Sequence, residues 1–161
     1  MQGSKSRTGV FAIILGVMLT FGTLTLAQGD PFVGNWVLNV DKSTFQTGGA
    51  AVRSRTITIT ANPDGSFKHV QDTYRVGQDA IIKVTYDAKY DGSAAPVVGA
   101  AFGQVSFSRM GRTMTRKGVD VGMEVETATY TLSADGKTMT IVTTGNNRGI
   151  MYGSTQIFEK K

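Results

Sequence analysis

His69 is the only histidine in the sequence, and so the only side chain whose ordinary pKa suits proton transfer near neutral pH. Catalysis would also require an orienting partner and a target. Asp72, three residues on, leaves the other face of an extended strand. His69 shares its own face with Phe67, Gln71 and Thr73, a ligand-contacting position if that face is interior. A surface or rim histidine is the favoured alternative. Zinc would need two or three further nitrogen or sulfur ligands, and the sequence has neither a second His nor any Cys, so no metal site is expected. Glu124 and Glu126 stand two apart, about 7 Å along a strand, a separation at which paired carboxylates can hydrolyse glycosides. Their companions Ala128 and Tyr130 do not suggest a sugar cleft, and a solvated face opposite Met123 and Val125 is favoured. The aspartates do not cluster at calcium-loop spacing. No catalytic residue and no cofactor is expected.

Binding is better served. Tyr86 and Tyr90 share a strand face with Ile82 and Val84, and offer hydroxyls on an otherwise apolar surface. Phe107 alternates with serines on a strand of its own. Arg109, Arg112, Arg116 and Lys117 concentrate charge around one hairpin. They could make weak contact with anionic envelope components. A solvated hairpin whose charges discourage strand addition explains them as well.

These residues sit on strands. Past Asp30 the hydrophobic pattern has period two almost to the end. Ile57 and Ile59 alternate with threonines, Ile82 to Tyr90 with Lys83, Thr85, Asp87 and Lys89, and Met139 and Ile141 with Thr138 and Thr140. Such alternation marks half-buried strands, because successive side chains leave opposite faces of the ribbon. Asp64-Gly65, Asp91-Gly92 and Asp135-Gly136 supply tight turns. The reading predicts nine or ten strands, near 34–40, 53–61, 66–76, 80–90, 96–98, 103–109, 112–118, 122–133, 137–144 and 150–159. The segment at 96–98 contains Pro96, and is either a closing strand or a loop. No stretch keeps helical spacing for three turns. Consecutive hairpins without a long crossover predict an all-β fold, an up-and-down antiparallel barrel.

The first segment is different. Lys5 and Arg7 precede an apolar run from Val10 to Leu26 that ends in Thr25-Leu26-Ala27, with small residues where a signal peptidase reads. A membrane anchor is the competing reading, but three threonines, two glycines and the absence of basic residues beyond it favour cleavage. Two domains follow: a signal peptide, 1–27, and a barrel, 28–161, exported to the periplasm or the extracellular space. Cleavage removes two of seventeen basic residues and no acid, leaving fifteen against twelve, net +3. That is too mild to indicate nucleic acid. With no Cys, the exported domain must be held together by its core.

The opening strand, Gly34-Asn35-Trp36-Val37-Leu38 with Ser43 and Phe45 beyond, resembles the first strand of the calycin superfamily, the lipocalins and fatty-acid-binding proteins. Gly-x-Trp is their shared mark. The closing Ser154-Thr155-Gln156-Ile157-Phe158-Glu159-Lys160 is similar to the last strand of the fatty-acid-binding branch. The stretch Gly34 to Phe45 also resembles uncharacterised secreted lipocalin-like proteins of bacteria. The resemblance implies that Gly34 and Trp36 are structural and close one barrel end. It implies also that Tyr152, Ser154, Gln156 and Phe158 point inward. The family's Arg and Tyr, two apart on the last strand, are here Gln156 and Phe158, so its carboxylate clamp is absent. Phe45 to Arg53 leaves no room for its two-helix lid.

The resulting expectation is a non-enzymatic binding protein. Its mixed, uncharged interior would hold a small amphipathic or hydrophobic ligand against Tyr86, Tyr90, Phe107, Tyr152, Gln156, Phe158 and His69. The alternative is a filled barrel with a structural or interaction role in the envelope.

Overall fold

The structure, a computed structural model, describes residues 29–46, 51–147 and 149–161. The expected signal peptide, 1–27, lies outside them. Ten strands form: β1 (Gly34–Gln46), β2 (Val52–Ala61), β3 (Phe67–Arg75), β4 (Ile82–Ala88), β5 (Ala95–Pro96), β6 (Gln104–Met110), β7 (Thr113–Asp120), β8 (Met123–Leu132), β9 (Thr138–Asn147) and β10 (Ile150–Lys160). They make one antiparallel sheet in the order β4-β3-β2-β1-β10-β9-β8-β7-β6-β5. Neighbours in sequence are therefore neighbours in space, and β1 pairs with β10 to join the two ends of the chain. This is the up-and-down barrel that the alternation predicts.

Closure is nearly complete. β4 and β6 are not laddered to one another. β5 bridges between them by pairing Ala95 with Val105. Just beyond it, Val98 exchanges both backbone hydrogen bonds with Thr85, each 3.0 Å. The Pro96 segment thus takes part in closure. Pro lacks an N–H, and it is tolerated because the strand is two residues long and at the sheet edge. Gly99 makes the seam possible: at φ +85°, a Cβ there would lie 1.9 Å from the Lys83 carbonyl oxygen.

β1 is longer than its predicted 34–40. The polar run Asp41-Lys42-Ser43, beyond the predicted strand, is a bulge, with a register shift between Asn39 and Thr44. The Ser43 hydroxyl donates to the Asn39 carbonyl (2.6 Å) and accepts from the Ile157 N–H (3.0 Å), taking the place of a ladder partner. The strand bends here and continues to Gln46 along β10.

The base of the barrel is solid. Trp36 is wholly buried, and its indole N–H donates to the Phe32 carbonyl at 2.9 Å. The Lys160 ammonium lies 5.1 Å from the indole centroid and donates to the Pro31 carbonyl. Here the Gly of Gly-x-Trp has its reason. Gly34 takes φ +142°, and a Cβ would stand 2.6 Å from Lys160 Cε. Above Trp36, Phe67 meets Phe107 edge-on at 5.1 Å and stacks on Tyr90 at 4.6 Å. Truncating the base plug, Trp36→Ala, is expected to cost about 3–5 kcal/mol, read as a fall in the urea midpoint with unchanged slope.

Candidate functional site

Hairpin order sends the ends of β1, β3, β7 and β9 toward one rim, opposite Trp36. Below that rim the barrel is not filled. A cavity of about 640 Å³ lies there, with Phe45, Val52, Phe102, Glu126 and Tyr152 in its lining. Its apolar lining includes Val84, Ile141 and the Tyr130 ring. The turns around its mouth carry exposed Val76, Ile81, Val121, Met123, Ile150 and Met151. Val121 sits at φ +47°, a region in which a β-branched residue is strained.

The polar lining is charged, which corrects the expectation of an uncharged interior. Arg55, Arg75, Arg116 and Glu126 all line the cavity. Arg116 shares a strand face with buried Met114, not with the solvated Lys117. It is 9% exposed. On β7 it faces Ala128 across the ladder, a side chain small enough to let the guanidinium cross to Glu126 two residues away. Glu126 Oε1 takes the Arg116 hydrogen bond, and Oε2 accepts from the Tyr152 hydroxyl at 2.8 Å. Tyr152 fits because it lies across from Gly145, where a Cβ would meet its ring at 2.3 Å. Burial pulls the Arg116 guanidinium down, but Tyr130, Glu126 and Tyr86 together hold it above its ordinary value. Burial and the Glu126 hydrogen bond push the Tyr152 phenol up. Arg116 Nε is buried without a hydrogen-bond partner among the described residues.

Arg55 enters from β2. Its Nε donates to Thr73 Oγ1 (2.9 Å) and its Nη1 to Gln156 Oε1 (2.5 Å), while the Gln156 amide donates to Ser154 Oγ (2.8 Å). Both acceptors of Arg55 are neutral. Burial, then repulsion from Arg75 and Arg116, lowers its pKa to about 10. It still carries its charge at neutral pH.

The expected site residues divide in two. Tyr152 and Gln156 line the cavity. Tyr86, Phe107, Phe158 and His69 are packed into the core beneath it. Tyr90 belongs to the base, where its hydroxyl donates to Asp30 at 2.6 Å and its phenol is held up by burial and that bond. Two favoured readings are overturned. His69 is 1% exposed and not at a rim, because its strand face is the interior one, and it stacks on Tyr86 at 4.4 Å. Glu126 is not solvated, since its face continues as buried Ala128 and Tyr130.

The Arg109–Lys117 hairpin is likewise not one patch. Arg109 pairs with Asp30 (2.9 Å) at the base and spans the Phe32 and Tyr90 rings. Arg116 points in, and Lys117 pairs outside with Glu124 (2.8 Å). Among the described residues, no three His, Cys, Asp or Glu side chains gather as metal ligands would.

No family model and no curated protein matches the sequence. Solved structures do match in shape. Zebrafish ileal bile acid-binding protein complexed with cholic acid superposes with a TM-score of 0.56 at 12% identity, over 82% of this chain and 100% of that one. Rv2717c from M. tuberculosis gives 0.55 at 10% identity over 82% and 94%. The wild-type fluorescent protein UnaG gives 0.53 at 11% over 81% and 97%. At such identities the likeness defines the fold. It is a ten-stranded up-and-down antiparallel barrel, nearly closed.

Burial in the core lowers the His69 pKa to about 3, with Arg116 adding to the shift. That lies below the unfolded value of 6.5, so the unfolded chain takes up the proton first, and stability drains as pH falls below about 6.5. Between pH 6.5 and 5 wild type should lose about 1.6 kcal/mol more than His69→Phe, the slope rising toward about 1.4 kcal/mol per unit below the unfolded pKa. Urea titrations of both proteins at the two pH values measure this. Equal losses would show that His69 is not held neutral.

Proposed function

We propose that this chain is an exported carrier that holds a small amphipathic ligand in the open half of its barrel. The observation that carries this reading is the cavity of about 640 Å³ above a solid base. That volume is in the range of small-molecule sites, and its mixture of apolar walls with a few convergent polar groups is what such sites use. Apolar residues on the rim turns give an oily ligand a path inward. The named binding protein among the structural likenesses, which carries cholic acid, uses the same barrel. The carrier reading is non-enzymatic. His69 is sealed beneath the cavity, and both oxygens of Glu126 are engaged.

Export rests on the sequence: a basic start, an apolar run and small residues ending at Ala27. Expression of the full chain should yield an exported form beginning at Gln28, read by N-terminal sequencing. An N-terminus left at Met1 in a membrane fraction would favour the anchor. Native mass spectrometry of the exported form should find a small molecule that leaves on delipidation. A protein-only mass, with a melting temperature that added amphiphiles do not move, would favour the filled barrel with a structural role.

A further inference from the structure

Two guanidiniums and one carboxylate form an uneven group in the cavity lining: Arg55, Arg116 and Glu126. Glu126 is already committed at both oxygens, to Arg116 and to Tyr152. Arg55 has only the neutral acceptors Thr73 and Gln156, and Arg116 keeps a buried Nε–H unpartnered in the same lining. An unpaired buried cation is costly, and proteins generally pair or hydrate such groups. Gln156 acts as a bracket, with its carbonyl oxygen holding Arg55 and its amide tied to Ser154.

Resting on the carrier reading, we propose that the ligand bears an anionic group, a carboxylate or a phosphate or sulfate ester, and that Arg55 and Arg116 receive it inside the cavity. Burial first, then repulsion from Arg75 and Arg116, disfavours the charge on Arg55, and an arriving anion offsets that cost. The apolar part of the ligand lies against Val84, Ile141 and Phe102. The anion is thus met by cations from β2 and β7, while the last strand supplies only the amide that orients one of them. Arg55 is a ligand-binding residue and Gln156 a positioning residue.

Two probes that share a ring system separate this inference from the reading beneath it: anionic 1-anilinonaphthalene-8-sulfonate and neutral N-phenyl-1-naphthylamine. Fluorescence titration of the folded barrel, residues 28–161, should show both binding, with the sulfonate tighter. Arg55→Gln should weaken the sulfonate about tenfold or more, the loss expected for a charge-assisted hydrogen bond, and leave the neutral probe unchanged. Arg55→Lys should restore part of the difference. Displacement by dodecanoate against dodecyl phosphate then distinguishes the two head groups. The melting temperature of unliganded Arg55→Gln should match or exceed that of wild type, because a cation with no counter-charge is removed. A merely structural Arg55 would lower it. Equal affinity for the two probes, unmoved by Arg55→Gln, would overturn the anion inference and leave the carrier intact. If neither probe binds, the carrier reading falls, and the inference with it.

Discussion

The burial of Trp36 governs what the rest of the barrel can be. Its indole spans the base, donates its one hydrogen bond to Phe32 and is capped by Lys160 from the last strand. This ties the residues just before β1 to the residues that end β10, so the plug and the closure of the sheet depend on each other. Asp30 strengthens the same end by accepting from Phe32 N–H and Tyr90 while pairing with Arg109. The aromatic layer of Phe67, Phe107 and Tyr86 stacks upward from that floor. A barrel of this width can be filled by its own side chains, and at this end it is. Any space must therefore lie at the other end, where the glycines at 118 and 145 replace larger inward residues.

Those glycines do not leave an oily void. Gly118 and Gly145 alternate around the wall with Glu126 and Tyr152 at one level of the sheet. Where the backbone has no side chain, a neighbour leans in: Phe102 over Gly118 and Tyr152 over Gly145. One level down, Arg116 crosses over small Ala128 toward the carboxylate. The charged layer is thus built by size alternation in the ladder as much as by charge attraction. The Arg116–Glu126 pair is held in a low-dielectric wall, where its attraction is stronger than at the surface and its desolvation cost is also larger.

Much of this was legible, because strand parity is strict. Nine or ten strands and their order follow from alternation and turn residues, and the calycin resemblance of the last strand implies the inward run Tyr152-Ser154-Gln156-Phe158. The same rule carried two residues further would have placed Arg55 inside, on the face of Ile57 and Ile59, and Arg116 inside, on the face of Met114. Both were obscured by composition, since arginine on a strand reads as solvent-facing until a cavity gives it room. His69 and Glu126 misled for the same reason. The bulge in β1 was hidden more deeply. Nothing in Asp41-Lys42-Ser43 announces that a serine hydroxyl will stand in for a backbone partner 114 residues away. Nor does alternation tell how high the aromatic floor rises. That depended on rings from four strands meeting, and it separates Tyr86, Phe107, Phe158 and His69, which fill the core, from Tyr152 and Gln156, which face the space.

The distribution of unsatisfied polar atoms bears on whether the space is incidental. Among the described residues, His69 Nδ1 and the Tyr86 hydroxyl have no hydrogen-bond partner just below the cavity, and Arg116 Nε has none in its wall. Each such group costs stability, of order 1–3 kcal/mol. Of these, Arg116 lines the cavity, while His69 and Tyr86 are sealed in the core beneath it. The base, by contrast, spends its polar groups fully: Trp36, Asp30, Tyr90 and Arg109 all have partners. One end of the barrel is therefore finished by its own residues, and the other keeps the Arg116 Nε–H, unpartnered among the described residues, beside an open space.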